Sequence, residues 1–246
     1  MKLSAPLLIL FSSAMLVSPC RAEEDDSRKY NFGFRVDYIP LRQFSVSTAT
    51  ASTTKPIADY TYTGSTSSPK LAFGPVFEMR LIRHISVGAE LSFHHAEYGQ
   101  VTMIRTGQKN PAASTDSRPV TTITEASKAN LWDIPVLARY HNIRDSGIFK
   151  GFYPLAGITY RHVGRIRTGN ATVNADSSTA YNEIPAPVAH RNLIGFTGGI
   201  GYRFVDELGI KIVPEIRFTH FTTDAFHGLS YRSNPNQAQA GVGITF

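Results

Sequence analysis

The sequence predicts an all-β protein, an eight-stranded antiparallel up-and-down transmembrane β-barrel. Three observations predict this fold. Segments of about ten residues alternate apolar and polar positions, and the connections between them alternate between short and long. No apolar run after residue 22 is long enough for a membrane-spanning helix. The last segment shows the alternation most clearly, because Ala238, Ala240, Val242, Ile244 and Phe246 share one face.

The N-terminus reads as a targeting segment. Lys2 precedes an apolar run of 13 residues, Ala5–Val17, which is too short to span a bilayer. A cleavage site ending at Ala22 follows, so we expect a signal peptide at 1–22 and one barrel domain at 23–246. A lipoprotein signal would instead use Cys20, but the preceding Pro19 fits such a signal poorly because a small residue is needed there.

The composition of the chain excludes several classes of function. Cys20 is the only cysteine and lies in the signal, so the mature chain carries no disulfide and no thiol chemistry. Without Lys2 and Arg21 the net charge falls from +6 to +4, and no Lys/Arg run suggests nucleic acid. His94 and His95 point to opposite faces of a strand and cannot chelate one metal. The sequence predicts no cofactor and no metal site.

The other seven strand segments follow in order. They are 30–40, 71–81, 85–94, 132–140, 152–161, 194–204 and 210–219. The connections after the second, fourth and sixth are short (82–84, 142–150 and 205–209), and the others are long and polar (43–70, 98–128, 163–191 and 222–236). We therefore expect the turns to face the periplasm and the long loops to face outside. Ten strands remain possible if 43–70 holds an extra hairpin. Segments 101–105 and 120–124 keep strand character, which predicts hairpins that extend beyond the membrane.

The faces opposite the apolar ones carry charges of both signs on nearly every strand. They are Arg35, Asp37, Glu78, Arg80, Glu90, Asp133, Arg139, Arg161, Arg203, Lys211, Glu215 and Arg217. Unpaired charges would be prohibitively costly in an apolar core. The lumen of an eight-stranded barrel has room only for side chains, so we expect these charges to pair there as a structural network. Aromatic residues near segment ends, such as Trp132 and Tyr160, suit the two membrane interfaces.

Three stretches carry a resemblance to known families. The segments 132–140 (Trp-Asp-Ile-Pro-Val-Leu-Ala-Arg-Tyr), 214–218 (Pro-Glu-Ile-Arg-Phe) and 241–246 (Gly-Val-Gly-Ile-Thr-Phe) resemble the small outer-membrane β-barrel families, broadly OmpA/OmpX-like, and the outer membrane protein beta-barrel domain. The resemblance implies a non-enzymatic structural or surface-interaction role in the outer membrane of a diderm bacterium. It also implies that Phe246 closes the barrel and is read by the barrel insertion machinery. The expected partners are outer-membrane lipids and an unknown extracellular ligand.

Two alternative functions stay open. The segments 217–222 and 234–237 resemble the end of the lipid A deacylases, in which His220 would be the base. Thr222 stands where that family has its nucleophilic serine, and Asn236 or Gln237 where it has its acid; Asp224 is a possible substitute. Because both positions depart from the pattern, no catalytic residue is predicted. The second alternative is a small-solute pore.

Overall fold

A computed structural model of the chain describes residues 29–67, 70–141, 151–183, 188–206 and 208–246. The predicted signal peptide and the predicted turn at 142–150 lie outside the described residues. In this part of the chain no α-helix has the length and apolarity to cross a bilayer.

All regular structure in the described ranges is extended. In chain order the strands are β1 (Tyr30–Tyr38), β2 (Phe44–Val46), β3 (Thr48–Thr54), β4 (Ile57–Thr66), β5 (Leu71–Ile82), β6 (Ile85–Glu90), β7 (Ser92–Thr106), β8 (Val120–Tyr140), β9 (Phe152–Val173), β10 (Thr179–Glu183), β11 (Asn192–Tyr202), β12 (Phe204–Val205), β13 (Lys211–Phe221), β14 (Tyr231–Ser233) and β15 (Asn236–Thr245). The pairings between these strands are antiparallel.

Nine of these strands close a hydrogen-bonded ring in the order β1, β5, β6 with β7, β8, β9, β11, β13 and β15. β6 and β7 form one barrel strand that is interrupted at Leu91, whose N–H donates to the Pro75 carbonyl at 3.1 Å. β15 returns to β1, and Phe246 and Phe32 exchange two backbone hydrogen bonds of 2.9 and 3.2 Å. The predicted eight-stranded antiparallel barrel is therefore confirmed.

The segment 43–70 does hold an extra hairpin, β3–β4, but this hairpin does not enter the ring. β4 pairs with the outer half of β7, from Ala58 opposite Thr106 to Thr66 opposite Tyr98. β1 is thus free to pair directly with β5 along its whole length. The ten-stranded alternative is wrong because the added hairpin extends the sheet beyond the barrel instead of widening it.

Apolar and polar side chains are distributed inside-out relative to a soluble protein. Ile158, Ile194, Ile216 and Ile244 on the outer face are each more than half exposed. Charged residues on the alternate positions are buried, and Arg217 is only 2% exposed. Strands that alternate apolar-out and polar-in suit a barrel surrounded by hydrocarbon. We name the exposed apolar surface of the ring the apolar belt.

The long connections extend the sheet of the barrel beyond the ring. β7, β8 and β9 continue past the ring to Thr106, Val120 and Val173, which confirms the predicted strand character of 101–105 and 120–124. With β3, β4 and β10 they make a sheet in the order β3, β4, β7, β8, β9 and β10. We call this sheet the outer sheet. It belongs to the loop end of the barrel, opposite the turn at Arg83 and His84.

Closure of the ring depends on a close approach at Gly33, where β1 meets β15. A Cβ atom there would overlap the Ile244 carbonyl oxygen and the backbone of Thr245, whereas one at Gly198 would meet nothing within 4 Å. We expect Gly33→Ala to lower the folded fraction and Gly198→Ala to leave it unchanged. Comparison of boiled and unboiled samples on a gel measures this fraction. Equal folded fractions in the two variants would contradict the tight seam.

Candidate functional site

The lumen is organised around the carboxylate of Glu215 on β13. Its Oε1 accepts hydrogen bonds from the Tyr153 hydroxyl at 2.5 Å and from Arg139 Nε at 3.1 Å. Its Oε2 accepts from Arg35 Nη1 at 2.7 Å and from Arg217 Nε at 2.6 Å. The donors come from four different strands, so a single buried carboxylate ties opposite walls of the barrel together.

A second carboxylate, Glu90 on β6, completes this network. Arg217 donates to it through both terminal nitrogens, at 2.6 and 2.5 Å, and Arg139 Nη2 donates at 2.8 Å. Asp37 accepts from Arg35 Nε at 2.7 Å. Arg35, Arg139 and Arg217 are therefore shared among several carboxylates, and none of the three guanidinium groups is buried without an anionic partner.

The turn end of the lumen holds a smaller polar group. Glu78 lies 3.3 Å from His141 Nε2 and 3.7 Å from Arg139 Nη1. The same His141 nitrogen lies 2.7 Å from the Ser86 hydroxyl. Lys211 donates to Asn31 Oδ1 at 3.1 Å. These contacts continue the hydrogen-bonded filling toward the short turns.

The middle of the lumen is held by a bidentate pair. Arg161 Nε and Nη2 donate to the two oxygens of Asp133 at 2.6 and 2.7 Å, and Arg161 also donates to Gln237. Beside this pair, hydroxyls on three neighbouring strands form a chain, Thr159 to Thr197 to Thr219, with spacings of 2.6 and 2.8 Å. The guanidinium of Arg161 lies 4.0 Å from the centre of the Phe221 ring, where the polar filling ends.

Above Phe221 the lumen is filled by apolar side chains, which we name the apolar plug. Phe44 from β2, Phe226, and Tyr231 from β14 fold from the loops against Tyr98 of β7. The ring centres of Phe44, Phe226 and Tyr231 each lie 4.8 Å from the ring centre of Tyr98. The ring centres of Phe44 and Phe226 lie 5.7 Å apart. Pairing of β2 with β14 holds these loops across the barrel mouth. Charges fill the lumen on one side of Phe221, and apolar groups close it on the other.

The structure brings most of the predicted charge network together. Asp37, Arg35, Glu78, Glu90, Asp133, Arg139, Arg161, Lys211, Glu215 and Arg217 all make the lumen contacts given above. Arg80 and Arg203 are half-buried instead, and Arg80 Nη2 donates to the Arg83 carbonyl at 2.6 Å in the turn. That the network serves only to fill the barrel stays a prediction.

Sequence reasoning missed the apolar plug. Phe44, Phe226 and Tyr231 are isolated aromatic residues within polar loops, so no period marked them as core. The available signal was their apolarity in segments otherwise rich in Ser, Thr and Asn. Solvated loops rarely need large aromatic side chains, and such residues point to a loop that packs back onto the protein.

His220 belongs to a set of three equivalent pairs on the outward face, which we name the rim pairs. In each rim pair, the Nδ1 atom of a histidine is hydrogen-bonded to the Oδ1 atom of the asparagine directly opposite on the next barrel strand. They are His95 with Asn130 at 3.0 Å, His162 with Asn192 at 2.8 Å, and His220 with Asn236 at 2.8 Å. A histidine repeated at three hairpins is a positional feature of the barrel rather than a unique base.

The groups that would complete a hydrolase around His220 have other partners. The Thr222 hydroxyl donates to the Ile194 carbonyl at 3.0 Å, and Asp224 accepts from Arg232 Nε at 2.5 Å. A nucleophile–base–acid arrangement needs hydrogen bonds that join the three groups in sequence. Here His220 bonds to Asn236 instead, so the geometry gives no support to the deacylase alternative.

The outer sheet has its own ion cluster outside the barrel. Arg118 Nη2 lies 2.7 Å from Asp59 and 2.8 Å from Asp116, which joins the β7–β8 connection to β4. Hydrogen bonds from Arg118 lower the pKa of Asp116 to about 2. A hydrogen bond from Ser52, followed by that from Arg118, lowers the pKa of Asp59. Both carboxylates therefore stay charged at neutral pH and brace the exposed hairpins.

The closed ring, the apolar belt and the charged lumen define the class of this protein. It is an eight-stranded antiparallel up-and-down β-barrel of the transmembrane type with a filled interior.

No family model matches the chain, and no curated protein matches it in sequence. Among solved structures it is similar to the crystal structure of Neisserial surface protein A (NspA). The TM-score is 0.35 and the identity 11%, over 89% of this chain and 96% of that chain. A likeness of that size decides nothing about function, so the class rests on the features of the barrel itself.

The lumen network predicts a large effect of one uncharged substitution. Glu215→Gln keeps the size of the side chain but leaves Arg35, Arg139 and Arg217 short of a carboxylate. We expect the free energy of unfolding to fall by about 3–5 kcal/mol, as when one partner of a buried ion pair is removed. Urea titration of the barrel in lipid vesicles measures it. The matched control Glu183→Gln, on the exposed strand β10, should stay within about 0.5 kcal/mol of the unsubstituted protein. A loss no larger than that of the control would contradict the role given to Glu215.

Proposed function

We propose that this protein is a non-enzymatic outer-membrane barrel that presents the outer sheet to the exterior as an interaction surface. The observation that carries the proposal is the division of the molecule into two parts. The charge network and the apolar plug fill the interior of the ring, while the long connections form the outer sheet beyond it. Binding residues in many proteins lie on loops held by a rigid scaffold.

The filled lumen supports an interaction role over a pore. Arg35, Glu90, Arg139, Glu215 and Arg217 interlock across the barrel with hydrogen bonds no longer than 3.1 Å. Opening a path would separate these buried ion pairs and then displace the apolar plug. Both steps would leave buried charged or apolar groups without their partners.

The edges of the outer sheet suit recognition of an extended peptide. Within the described chain the sheet ends at β3 on one side and at β10 on the other. β3 reads Thr-Ala-Thr-Ala-Ser-Thr-Thr and has no charged residue, although charges commonly protect exposed edges from pairing. A strand from an extracellular partner could add to such an edge through main-chain hydrogen bonds. The proposed partner class is therefore a protein segment in extended conformation.

The sealed lumen predicts the electrical behaviour of the barrel. We expect the folded protein to show no stable channel steps in planar lipid bilayers, because ion pairs occupy its interior from Glu78 to Arg161. A boiled-versus-unboiled gel of the same preparation confirms that the barrel is folded. Stable channel openings on the nanosiemens scale from a folded sample would contradict the proposal and favour the small-solute pore.

The orientation of the barrel predicts which connections are accessible on cells. We expect an epitope tag inserted between Lys55 and Pro56, in the β3–β4 turn, to be labelled on intact cells. The same tag between Arg83 and His84, in the β5–β6 turn, should be labelled only after the outer membrane is permeabilised. Labelling of the second position on intact cells would show that the turns, not the outer sheet, face outside.

A further inference from the structure

The rim pairs lie at the loop end of the apolar belt, and each follows an aromatic residue on the same face. The sequences read Phe93-x-His95, Tyr160-x-His162 and Phe218-x-His220. The Phe93 ring contacts those of His95 and Trp132, with centres 4.9 and 4.6 Å apart. Each pair therefore marks the level at which the outer surface changes from apolar to polar. At this level a surrounding lipid passes from acyl chain to headgroup.

The chemistry of the rim pairs leaves one nitrogen of each imidazole available. When Nδ1–H donates to the asparagine Oδ1, the neutral ring keeps Nε2 as a hydrogen-bond acceptor. Among the described residues none of the three Nε2 atoms has a hydrogen-bond partner. The rings of His162 and His220 are exposed on the outward face. The pairs thus present fixed acceptors to whatever surrounds the barrel.

Positively charged side chains lie beside two of the three rim pairs, where β7, β8 and β9 are neighbours. Lys128 faces outward, since its neighbour Ala129 is fully buried, and it lies opposite Arg167 in the β8–β9 pairing. A register shift in that pairing, between Ala129 and Leu131, falls beside the exposed Arg165. Ile166 packs against the apolar plug, so Arg165 and Arg167 on either side of it point outward.

The balance of charge in this sector is positive. Glu97 lies on the same face, 3.0 Å from Lys128 Nζ. Glu183 of β10 also faces outward, because it lies opposite Gly169, two positions from Arg167. These two carboxylates set against Lys128, Arg165 and Arg167 leave an excess of one positive charge. We name this sector the basic rim, comprising His95, Lys128, Asn130, His162, Arg165 and Arg167. Guanidinium groups bind phosphate oxygens in a bidentate manner and are suited to a fixed anionic group.

We propose that the basic rim binds the phosphorylated headgroup of a glycolipid in the surrounding outer leaflet. Arg165 and Arg167 contact the phosphate, and the Nε2 atoms of His95 and His162 accept hydrogen bonds from sugar hydroxyl or amide groups. The acyl chains lie against Trp132 and the apolar belt below. The assignment rests on the proposed placement of the barrel in an outer membrane. It adds a specific lipid site, distinct from the outer sheet and its edges.

Native mass spectrometry of the detergent-solubilised, folded barrel tests this site. The probes are bisphosphorylated lipid A and the same lipid after enzymatic removal of its phosphates. We expect the unsubstituted barrel to retain the phosphorylated lipid, and Arg165→Gln/Arg167→Gln to bind it about tenfold or more weakly. Arg165→Lys/Arg167→Lys should restore part of the binding. Arg83→Gln, which removes one guanidinium group at the turn end, should bind as the unsubstituted protein does.

Two results would overturn the site. One is equal retention of phosphorylated and phosphate-free lipid A by the unsubstituted barrel, and the other is equal retention of lipid A by the glutamine double variant. Folding is scored separately on the same samples by the boiled-versus-unboiled gel and by insertion into vesicles of neutral phospholipid. A barrel that inserts but shows no phosphate preference refutes the lipid site alone. A chain that does not insert refutes the membrane placement on which the site depends.

Discussion

The structure depends on one constraint: the lumen of an eight-stranded ring is wide enough for side chains and little else. Backbone hydrogen bonds are satisfied around the ring, so the remaining requirement is a set of side chains that fills the lumen. Glu215 and Glu90 fill it with Arg35, Arg139 and Arg217, which they share, so each charge is neutralised from more than one wall. A buried ion pair on its own is weak evidence for stability, but removal of one member leaves the others without compensation. The network therefore couples strands that are far apart in sequence.

The apolar plug and the charge network divide one cavity between two kinds of chemistry. Arg161 joins them, since its guanidinium is paired with Asp133 on one side and lies over the Phe221 ring on the other. The rim pairs divide the outer surface in the same way, from apolar belt to polar sector. Inside and outside thus change character toward the loop end of the barrel. Beyond that level β7, β8 and β9 continue past the ring and take part in the outer sheet.

The sequence predicted the parts of this fold that depend on a period of two. Alternation of Phe34 with Arg35 or Ile216 with Arg217 assigns each side chain to a face, and the faces assign charges to the lumen. Partners within the lumen were not predictable, because Arg35 reaches Glu215 across 180 positions of sequence. The β3–β4 hairpin was recognised as possible, but its pairing with β7 instead of ring insertion depends on register, which composition does not encode. The plug and the rim pairs were missed because single residues such as Phe226 and His162 carry no periodic signal.

The residues of the apolar plug come from two connections that are far apart in the sequence, so packing of the plug depends on closure of the ring. Phe44 comes from the connection that follows the first barrel strand, while Phe226 and Tyr231 come from the connection that precedes the last one. These side chains meet only when the two ends of the chain have come together at the β1–β15 seam. While the ring is still open at that seam, the apolar plug cannot be complete. The ion pairs of the lumen are then accessible to water. A packed apolar plug therefore requires a closed ring, and its presence indicates that the barrel wall is continuous.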